Sequence, residues 1–580
     1  MHRRRHPSGR LRERWLPHSC RPARSARARR RVWRPRRSLH HRARTGHAVR
    51  RPGRALPADR AARRYRHTRA DRAWRRQSGQ PRTSATRACG HGLVPPRKWR
   101  SVQCRDHRMG AWPGRGRSLC RPDNPQRPDP LRRPDRGRRL NAFPFRELSP
   151  WLSEPEDRQP LLLGHTRADV AIVGGGYTGL STALALRESG LSVALVEQDF
   201  CGSGASGRNA GHLTPTIGKD LPTLLRHFGE QRTGDLVGFA EEAVRHTEKV
   251  IVRLSLDCDY RPVGNVIAGL HARHRPPLER AARVAEMVGA PFHFLDEADV
   301  RARDLPQFVK FGAIEASGGH LHPGKYVQGL RRAVLQAGVE LFEDTSVTSI
   351  ERKGSRVHLR TASGSLDCEK LVLATNAYTP STLGRMAYRV FPLRVSLFRT
   401  RPLSTAEWDR VGWARREGIY TAHESLENFR PLPDGRILGG SKVVQYAFGS
   451  KLAPGSQPSA FQTLTDLFRK RFPELRDVAI EDFWGGWIAM TLDFLPFFGA
   501  DKSDRIVHAM GYNGHGIAQA TFAGSMAADL VMGRRNRWVE LLRRHSLPLP
   551  PEPFRWLGVK ALLGYLGRID AKVDHDLSRP

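Results

Sequence analysis

The hydrophobic pattern first becomes regular at Val170–Val173, a short apolar and mostly β-branched run. Such a run, without polar alternation, is typical of a strand buried on both faces of a parallel sheet. Apolar residues then recur at helical spacing over 180–185, and Gly190 stands where a helix commonly ends. A second apolar run at 192–196 completes a predicted strand–helix–strand unit.

The turn between the first strand and the helix has the spacing G-x-G-x-x-G. Gly174 permits the tight turn, Gly176 lets a pyrophosphate approach the backbone, and Gly179 lets the helix pack close to the sheet. The helix N-terminus then offers N–H groups to the phosphates. Glu197 lies 18 residues beyond Gly179, where an acid typically binds ribose hydroxyls. These features predict a dinucleotide site but do not distinguish FAD from NAD.

The region 386–480 has a different pattern, with alternating polar and apolar residues and frequent turn residues. Asp434-Gly435 lies between two such runs and predicts a hairpin turn. Alternation of this kind is typical of antiparallel strands that are covered on one face. We therefore expect an antiparallel sheet here, distinct from the parallel one.

Charge divides the chain into two unequal parts, although the formal net charge of the whole is +43. Residues 1–140 contain 44 Lys and Arg against 7 Asp and Glu, whereas the remaining 440 residues contain 55 against 49. Lys98 is the only lysine of the first part and Glu13 its only glutamate. A segment of this composition buries too little apolar surface to offset the entropy of ordering it. We therefore predict a disordered basic extension over 1–140.

Three interpretations of this extension stay open. The near-absence of lysine, together with scattered tryptophans, favours GC-rich DNA translated out of frame from a start codon set too early. The alternatives are an arm that binds nucleic acid or another acidic surface, and an Arg-rich transit peptide. Nucleic acid is therefore not the expected partner.

Cysteine use and hydropathy indicate the compartment. Cys201, Cys258 and Cys368 lie in the main part of the chain, and none of them is in a CxxC pair or at a metal-type spacing. Neither a disulfide framework nor a metal site is predicted. No apolar run approaches the roughly 18 residues that span a bilayer, and the N-terminus lacks the apolar stretch of a secretory signal. We expect a cytoplasmic protein without a membrane span.

A second glycine-rich segment, 202–211, follows the predicted acid. Its small residues and single arginine suit a loop around a second anionic, planar group, or a flexible surface loop. Further turns of small residues stand beside apolar segments at 318–326, 371–377, 484–496 and 511–516. In this order, the stretches resemble those of the D-amino-acid-oxidase-type FAD-dependent oxidoreductases, in the branch that includes gamma-glutamylputrescine oxidase. The resemblance covers roughly residues 145–570.

The resemblance implies an α/β fold in which a Rossmann-like FAD-binding domain is interleaved with an α+β substrate domain built on the antiparallel sheet. The FAD-binding domain is expected to comprise 166–220, 311–385 and 481–545, and the substrate domain 221–310 and 386–480. Residues 546–580 are amphipathic and aromatic. They are expected to pack on the body, with contact to a partner subunit or a membrane surface as the alternatives. The oligomeric state is not predicted.

The resemblance also implies the residues that hold FAD, which we expect to be bound non-covalently. Cys201 and His212 are the nearest candidates for a covalent link, but neither lies in an attachment pattern. The backbone at Val347 would pair with the adenine, and glycines before the last long helix would turn N–H groups toward the flavin. The expected cofactor-binding residues are Gly174, Gly176, Gly179, Glu197, Ser206, Arg208, Asn209, Val347, Thr375, Gly514, His515 and Gly516.

On the substrate side, the candidates for catalysis are Trp484, His515 and Arg430. Arg430 precedes the predicted hairpin turn and is the candidate for a substrate carboxylate, because a guanidinium binds carboxylates in bidentate geometry. Trp484 and Phe429 are candidate walls of the pocket. Each residue also has a structural interpretation, as a strand-surface arginine, a histidine beside a glycine turn or a core aromatic. No general base is identified.

The function implied by the resemblance is oxidation of the C–N bond of an amine or amino acid, with a gamma-glutamylputrescine-like amine as the small-molecule substrate. Hydride would pass to the flavin from the carbon next to a neutral amine. Molecular oxygen would then reoxidise the flavin to give hydrogen peroxide. The alternatives are a dehydrogenase that uses another electron carrier, and a nucleic-acid-binding protein that acts through the basic arm.

Overall fold

The computed structural model describes residues 143–380, 386, 388–543 and 548–577. The extension 1–140, with its predicted disorder and its possible partners, lies outside the described residues. In chain order the strands are β1 (Gly164–Val173), β2 (Val193–Val196), β3 (His212–Leu213), β4 (Asn265–Gly269), β5 (Phe292–Leu295), β6 (Phe311–Glu315), β7 (Gly319–His320), β8 (Glu340–Phe342), β9 (Ser349–Lys353), β10 (Arg356–Arg360), β11 (Gly364–Leu373), β12 (Phe391–Thr400), β13 (Gly418–Thr421), β14 (Asn428–Pro431), β15 (Ile437–Gln445), β16 (Ile480–Met490), β17 (Phe497–Ala500) and β18 (Ile506–Met510). The α-helices are α1 (Tyr177–Glu188), α2 (Leu221–Arg253), α3 (Arg275–Val288), α4 (Glu297–Ala302), α5 (Pro323–Gln336), α6 (Thr405–Val411), α7 (Pro458–Arg471), α8 (Gly516–Val531), α9 (Arg537–Leu542) and α10 (Phe554–Asp576).

The first sheet has the order β17–β18–β11–β1–β2–β8, and its central strands from β18 to β8 are parallel. The hairpin β9–β10 extends it by pairing with the first half of β11. The predicted strand–helix–strand unit is confirmed as β1, α1 and β2, which pair from Val170 opposite Val193. Gly190 follows α1 with a φ of +87°, a conformation that glycine adopts without strain.

Close packing of α1 depends on two glycines. Gly174 turns the chain out of β1 with a φ of +108°, and a Cβ there would lie 2.8 Å from the carbonyl oxygen of Ala374. A Cβ on Gly179 would overlap the carbonyl oxygen of Gly174. Because both positions lack a side chain, the N-terminus of α1 lies against the carboxyl end of β1, at the edge where parallel sheets bind ligands.

The second sheet has the order β16–β12–β15–β14–β13–β4–β6–β5 and is antiparallel except between β13 and β4. The predicted hairpin at Asp434-Gly435 joins β14 to β15, with Pro431 opposite Ile437. β6 and β16 both belong to this second sheet. The segments 311–385 and 481–545, which were predicted to belong to the FAD-binding domain, therefore each begin with a strand of the second sheet. The polar and apolar pattern of these two strands did not indicate which sheet they join, since strand pairing depends on distant segments.

The helices beside the two sheets pack in different hydrophobic cores. One core joins α1, α2, α5 and α8 to the first sheet. The other packs α7 against the second sheet and is rich in aromatic rings, among them Phe398, Phe429, Phe468 and Phe472. None of the helices in the described residues combines the length and the apolar character needed to cross a bilayer.

The C-terminal helix α10 packs on the second sheet through charged groups near its end. The carboxylate of Asp570 accepts hydrogen bonds from the backbone N–H groups of Glu424 and Ser425, each at 2.9 Å. Asp574 forms an ion pair with Arg471 at 2.8 Å and with Lys442 at 3.3 Å. Asp574 lies with His423 and Glu427 in a cluster that resembles a metal site, but these two cations already neutralise its carboxylates.

Candidate active site

A cavity of about 1260 Å³ lies between the carboxyl ends of the first-sheet strands and the second sheet. Val173, Val196 and Ala374 line it where β1, β2 and β11 end. Residues of β12, β13 and β16 line it on the opposite side. The position agrees with the rule that open parallel sheets bind ligands outside the carboxyl ends of their strands.

The glycine-rich turn forms one end of this cavity. Gly176 precedes α1 without a side-chain cap, and a Cβ there would lie 2.9 Å from the hydroxyl oxygen of Ser206. That hydroxyl accepts a hydrogen bond from the N–H of Tyr177 at 3.0 Å. The turn therefore leaves backbone and one hydroxyl beside the helix N-terminus, an arrangement that suits phosphate groups.

Glu197 lines the cavity at the end of β2. Its carboxylate accepts hydrogen bonds from the N–H groups of Gly175 at 2.6 Å and Asp199 at 3.2 Å. Burial raises the pKa of Glu197 to about 7. The carboxylate is thus held against the glycine-rich turn, in the position expected for a group that accepts from ribose hydroxyls.

Polar side chains of the loop 202–211 fix the loop itself. Arg208 donates to the carbonyl oxygens of Ser203 and Glu147, both at 2.6 Å. The side-chain amide of Asn209 donates to Ser206 O at 2.8 Å and accepts from the N–H of Gly211 at 2.9 Å. Both residues line the cavity, but the guanidinium of Arg208 is directed to carbonyl groups, which argues against a direct contact of its charge with the cofactor.

The residues before β1 support the same loop, a role that sequence reasoning missed. The hydroxyl of Ser149 donates to Gly207 O at 2.5 Å, and the indole N–H of Trp151 donates to Asn209 O at 3.0 Å. This segment has no regular secondary structure beyond an isolated bridge at Phe145, so no periodicity marked it. Only the resemblance from residue 145 onward indicated that it belongs to the fold.

The other predicted cofactor residues lie farther along the cavity wall. Val347 and Thr375 line it after β8 and β11, and Gly514, His515 and Gly516 line it where α8 begins. Burial lowers the pKa of His515 to about 4, so the imidazole is neutral at pH 7. The structure therefore brings together the residues that were predicted from separate parts of the chain, including Gly174, Gly176 and Glu197.

Arg430 does not line the cavity. The residue is 2% exposed, and its guanidinium donates to the carbonyl oxygens of Ala210 and, at 3.0 Å, of Leu321. Burial lowers the pKa of Arg430 to about 9. Its donors bind the backbone beside the loop 202–211, and this arrangement argues against the predicted contact with a substrate carboxylate.

The two predicted wall aromatics are core residues. Trp484 is fully buried and its indole N–H donates to Arg208 O at 3.0 Å. Phe429 packs against Phe308 and Phe472 within the second core. Successive side chains of a strand point to opposite faces of the sheet. Trp487, three residues after Trp484 on the same strand, therefore lines the cavity while Trp484 points into the core.

Several cavity residues carried no local signal. Lys219 and Tyr420 line the cavity from a loop and from β13. Helix α10 contributes Val559, Leu562, Leu563 and Leu566. Among the candidates for a covalent link, His212 lines the cavity and Cys201 is a buried free thiol outside its lining.

The parallel sheet, the glycine-rich turn and the large cavity beside them are typical of a dinucleotide-binding protein. The family model described as FAD dependent oxidoreductase (DAO) matches residues 169–530, and the chain belongs to this family. FAD is therefore its cofactor, as the resemblance predicted. The helix N-terminus beside Gly176 and the carboxylate of Glu197 fit the pyrophosphate and the ribose of this molecule.

Relatives and solved structures agree with this assignment. The chain is 30% identical over 385 residues to the gamma-glutamylputrescine oxidoreductase of Escherichia coli strain K12, covering 66% of this chain and 88% of that protein. It is 29% identical over 413 residues to the probable oxidoreductase OrdL of Rhizobium meliloti strain 1021, covering 68% and 89%. The glycine oxidase of Geobacillus kaustophilus has the same fold, with a TM-score of 0.57 at 21% identity over 66% of this chain and 99% of that chain.

Proposed function

We propose that the protein oxidises the C–N bond of an amine that resembles gamma-glutamylputrescine. The observation that carries this proposal is the single cavity that runs from the glycine-rich turn to the second sheet, because it has room for FAD and for a substrate beside it. The relative named gamma-glutamylputrescine oxidoreductase supports this substrate class.

The cofactor would lie along the first-sheet side of the cavity. Gly174, Gly176 and Gly179 leave room for the pyrophosphate, Glu197 binds the ribose, and the backbone at Val347 pairs with the adenine. The segments around Thr375 and 514–516 then flank the flavin. When bound, FAD supplies the hydride acceptor for the carbon next to the substrate nitrogen.

The second-sheet side would receive the substrate. Its lining is largely apolar, with Leu393, Leu397, Trp487 and Ile488 on the sheet and the leucines of α10 opposite. These walls exclude water and accept an alkyl chain. An extended amine therefore fits better than a small polar amino acid.

Lys219 is the residue that we assign to a substrate carboxylate, in place of Arg430. Its ammonium lies 3.8 Å from the ring centroid of Phe494 and the side chain lines the cavity. In the part of the chain that the structure describes, no carboxylate forms an ion pair with it. A substrate carboxylate would supply the missing counter-charge.

An anaerobic absorbance spectrum of the purified full-length protein, before and after addition of gamma-glutamylputrescine, tests the proposal. We expect an oxidised-flavin spectrum that bleaches. A flavin spectrum that does not bleach would contradict this substrate and leave the cofactor in place. A protein without flavin, even after reconstitution with FAD, would contradict the cofactor assignment as well.

We further infer that molecular oxygen accepts the electrons and that hydrogen peroxide is a product. One peroxide is expected for each amine consumed in air, measured with a peroxidase-coupled dye. Turnover that requires an added electron carrier, without peroxide, would instead establish a dehydrogenase. A cytoplasmic location stays a prediction from the sequence.

A further inference from the structure

A buried carboxylate lies directly behind the second-sheet wall of the cavity. Glu315, the last residue of β6, is 7% exposed. Its Oε2 accepts a hydrogen bond from the hydroxyl of Tyr420, and its Oε1 accepts one from the hydroxyl of Thr216 at 2.8 Å. Tyr420 itself lines the cavity. The carboxylate therefore reaches the cavity through one phenolic hydroxyl.

Glu315 lacks a counter-charge in the described part of the protein, where no lysine, arginine or histidine forms an ion pair with it. Burying a carboxylate without a cation is costly, and two neutral hydroxyl donors offset only part of that cost. Glu241, on α2, adds a second negative charge nearby. A cation that enters the cavity would stabilise this arrangement.

The direction of the Tyr420 hydrogen bond determines which ligand fits. Because an ionised carboxylate only accepts, Tyr420 donates its proton to Glu315 and keeps an oxygen lone pair as an acceptor, although the hydroxyl of Thr216 also lies beside its oxygen. The N–H of an alkylammonium group is the complementary donor. The neighbouring His212, whose ring centroid lies 5.7 Å from that of Tyr420, does not compete as a cation, since burial lowers its pKa to about 4.

We propose that Tyr420 and Glu315 form a proton relay that binds the substrate ammonium and removes one proton before hydride transfer. One ammonium N–H bond breaks, and its proton forms an O–H bond with Tyr420 Oη while the nitrogen keeps the electron pair. At the same time the original Tyr420 O–H bond breaks and its proton passes to Glu315 Oε2. Tyr420 is the catalytic residue, and Glu315 and Thr216 are positioning residues that act through it.

The relay rests on the proposed function. It supplies what the oxidation of an amine requires, which is a substrate nitrogen that has lost its extra proton. Hydride leaves readily only when the adjacent nitrogen has a free electron pair. An alkyl amine with a pKa of about 10.4 is neutral in roughly one molecule in 2,500 at pH 7. Positioned acid–base groups typically contribute about 10²–10⁴-fold to such a step.

In the described part of the chain, three titratable groups from other elements lie near Glu315 or its partner Tyr420. They are Tyr420 on β13, Glu241 on α2 and, beyond Tyr420, His212 on β3. Burial and the charge of Glu241 both raise the pKa of Glu315 above its ordinary value. A raised pKa brings the carboxylate closer to the range in which it exchanges a proton with an amine.

The test compares the rate of anaerobic flavin bleaching by gamma-glutamylputrescine, from pH 6 to pH 10, in the wild-type holoenzyme and in the variants Tyr420→Phe and Glu315→Gln. At pH 7 we expect bleaching to be about 100-fold slower in each variant. The difference should shrink toward pH 10, where the amine loses its proton in solution. Flavin content and the unfolding midpoint of each variant establish that it is folded and loaded.

A matched control lies outside the cavity. Tyr260 donates to Glu248 at 2.5 Å in a similar Tyr–Glu pair, and Tyr260→Phe should leave the bleaching rate and its pH profile unchanged. A loss in Tyr420→Phe that is the same at every pH, or no loss, would overturn the relay while wild-type bleaching upholds the proposed function. A wild-type protein that no amine reduces would overturn both.

Discussion

The two sides of the cavity are built in different ways. On the first-sheet side, residues at glycine turns and strand ends line the cavity, and the acidic residue Glu197 lies among them. On the second-sheet side, side chains such as Tyr420 and Trp487 form the surface, and they come from strands that are distant in sequence. The first side suits a cofactor shared by a whole family, and the second suits a substrate that differs from protein to protein.

The buried arginine and the cavity lysine show the same contrast on a smaller scale. Arg430 uses its guanidinium to hold the backbone at Ala210 and Leu321. Lys219 lies on the lining beside the ring of Phe494 and forms no ion pair with the residues that the structure describes. A charged residue near a site therefore has to be assigned by its partners. The following experiments test the first-sheet side and the second-sheet side of the cavity separately.

The largest effect on cofactor binding is expected from Gly179→Ala. The new Cβ would overlap the carbonyl oxygen of Gly174, a backbone atom that cannot move without displacing α1 from β1. We expect at least a tenfold loss of FAD affinity, measured by flavin retention on dilution. Gly558→Ala in α10 is the control, because a Cβ there meets no atom within 4 Å. Full flavin retention in Gly179→Ala would contradict the assignment of the glycine-rich turn to FAD binding.

Arg430→Ala should lower the free energy of unfolding by about 3 kcal/mol, because it removes charged donors from two buried carbonyl groups. Denaturant titration of the holoenzyme measures this loss. KM should change by the same factor for amines with and without a carboxylate, since Arg430 does not line the cavity. A loss confined to carboxylate-bearing amines would restore the substrate role that the sequence suggested.

Lys219→Ala should raise KM for gamma-glutamylputrescine about fivefold. This factor corresponds to the loss of one partly exposed ion pair that contributes about 1 kcal/mol to binding. KM for an alkyl amine without a carboxylate should stay the same, and so should the flavin content. The exposed Lys502, which is not part of the lining, provides the control variant Lys502→Ala. An equal change for both amines would remove Lys219 from substrate recognition.

The smallest expected effect is a pH dependence of FAD binding. The raised pKa of Glu197, about 7, means that the free protein holds a proton there below pH 7, whereas ribose hydroxyls favour the ionised carboxylate. FAD affinity is therefore full above pH 7 and falls as the pH drops through 7, by about fourfold between pH 8 and pH 6.5 for one proton. Equilibrium dialysis measures it. A profile in Glu197→Gln as steep as in the wild type would assign the dependence to another group.

The sequence by itself determined the strand–turn–helix unit at the start of the cofactor side. Val170–Val173, the glycines at 174–179 and Glu197 lie within about thirty residues, and their roles follow from turn geometry and helix packing, which are local properties. The hairpin at Asp434-Gly435 was predictable for the same reason, since a short turn determines the pairing of its own strands.

Only the tertiary structure decided the substrate side. Whether Trp484 or Trp487 faces the cavity depends on the register of β16 against β12, and Glu315 meets Tyr420 only because β4 pairs with both β6 and β13. Helix α10 reaches the cavity because Asp570 and Asp574 bind partners more than one hundred residues away. Such contacts leave no local pattern, because their free energy depends on pairings that form only when the whole chain has folded.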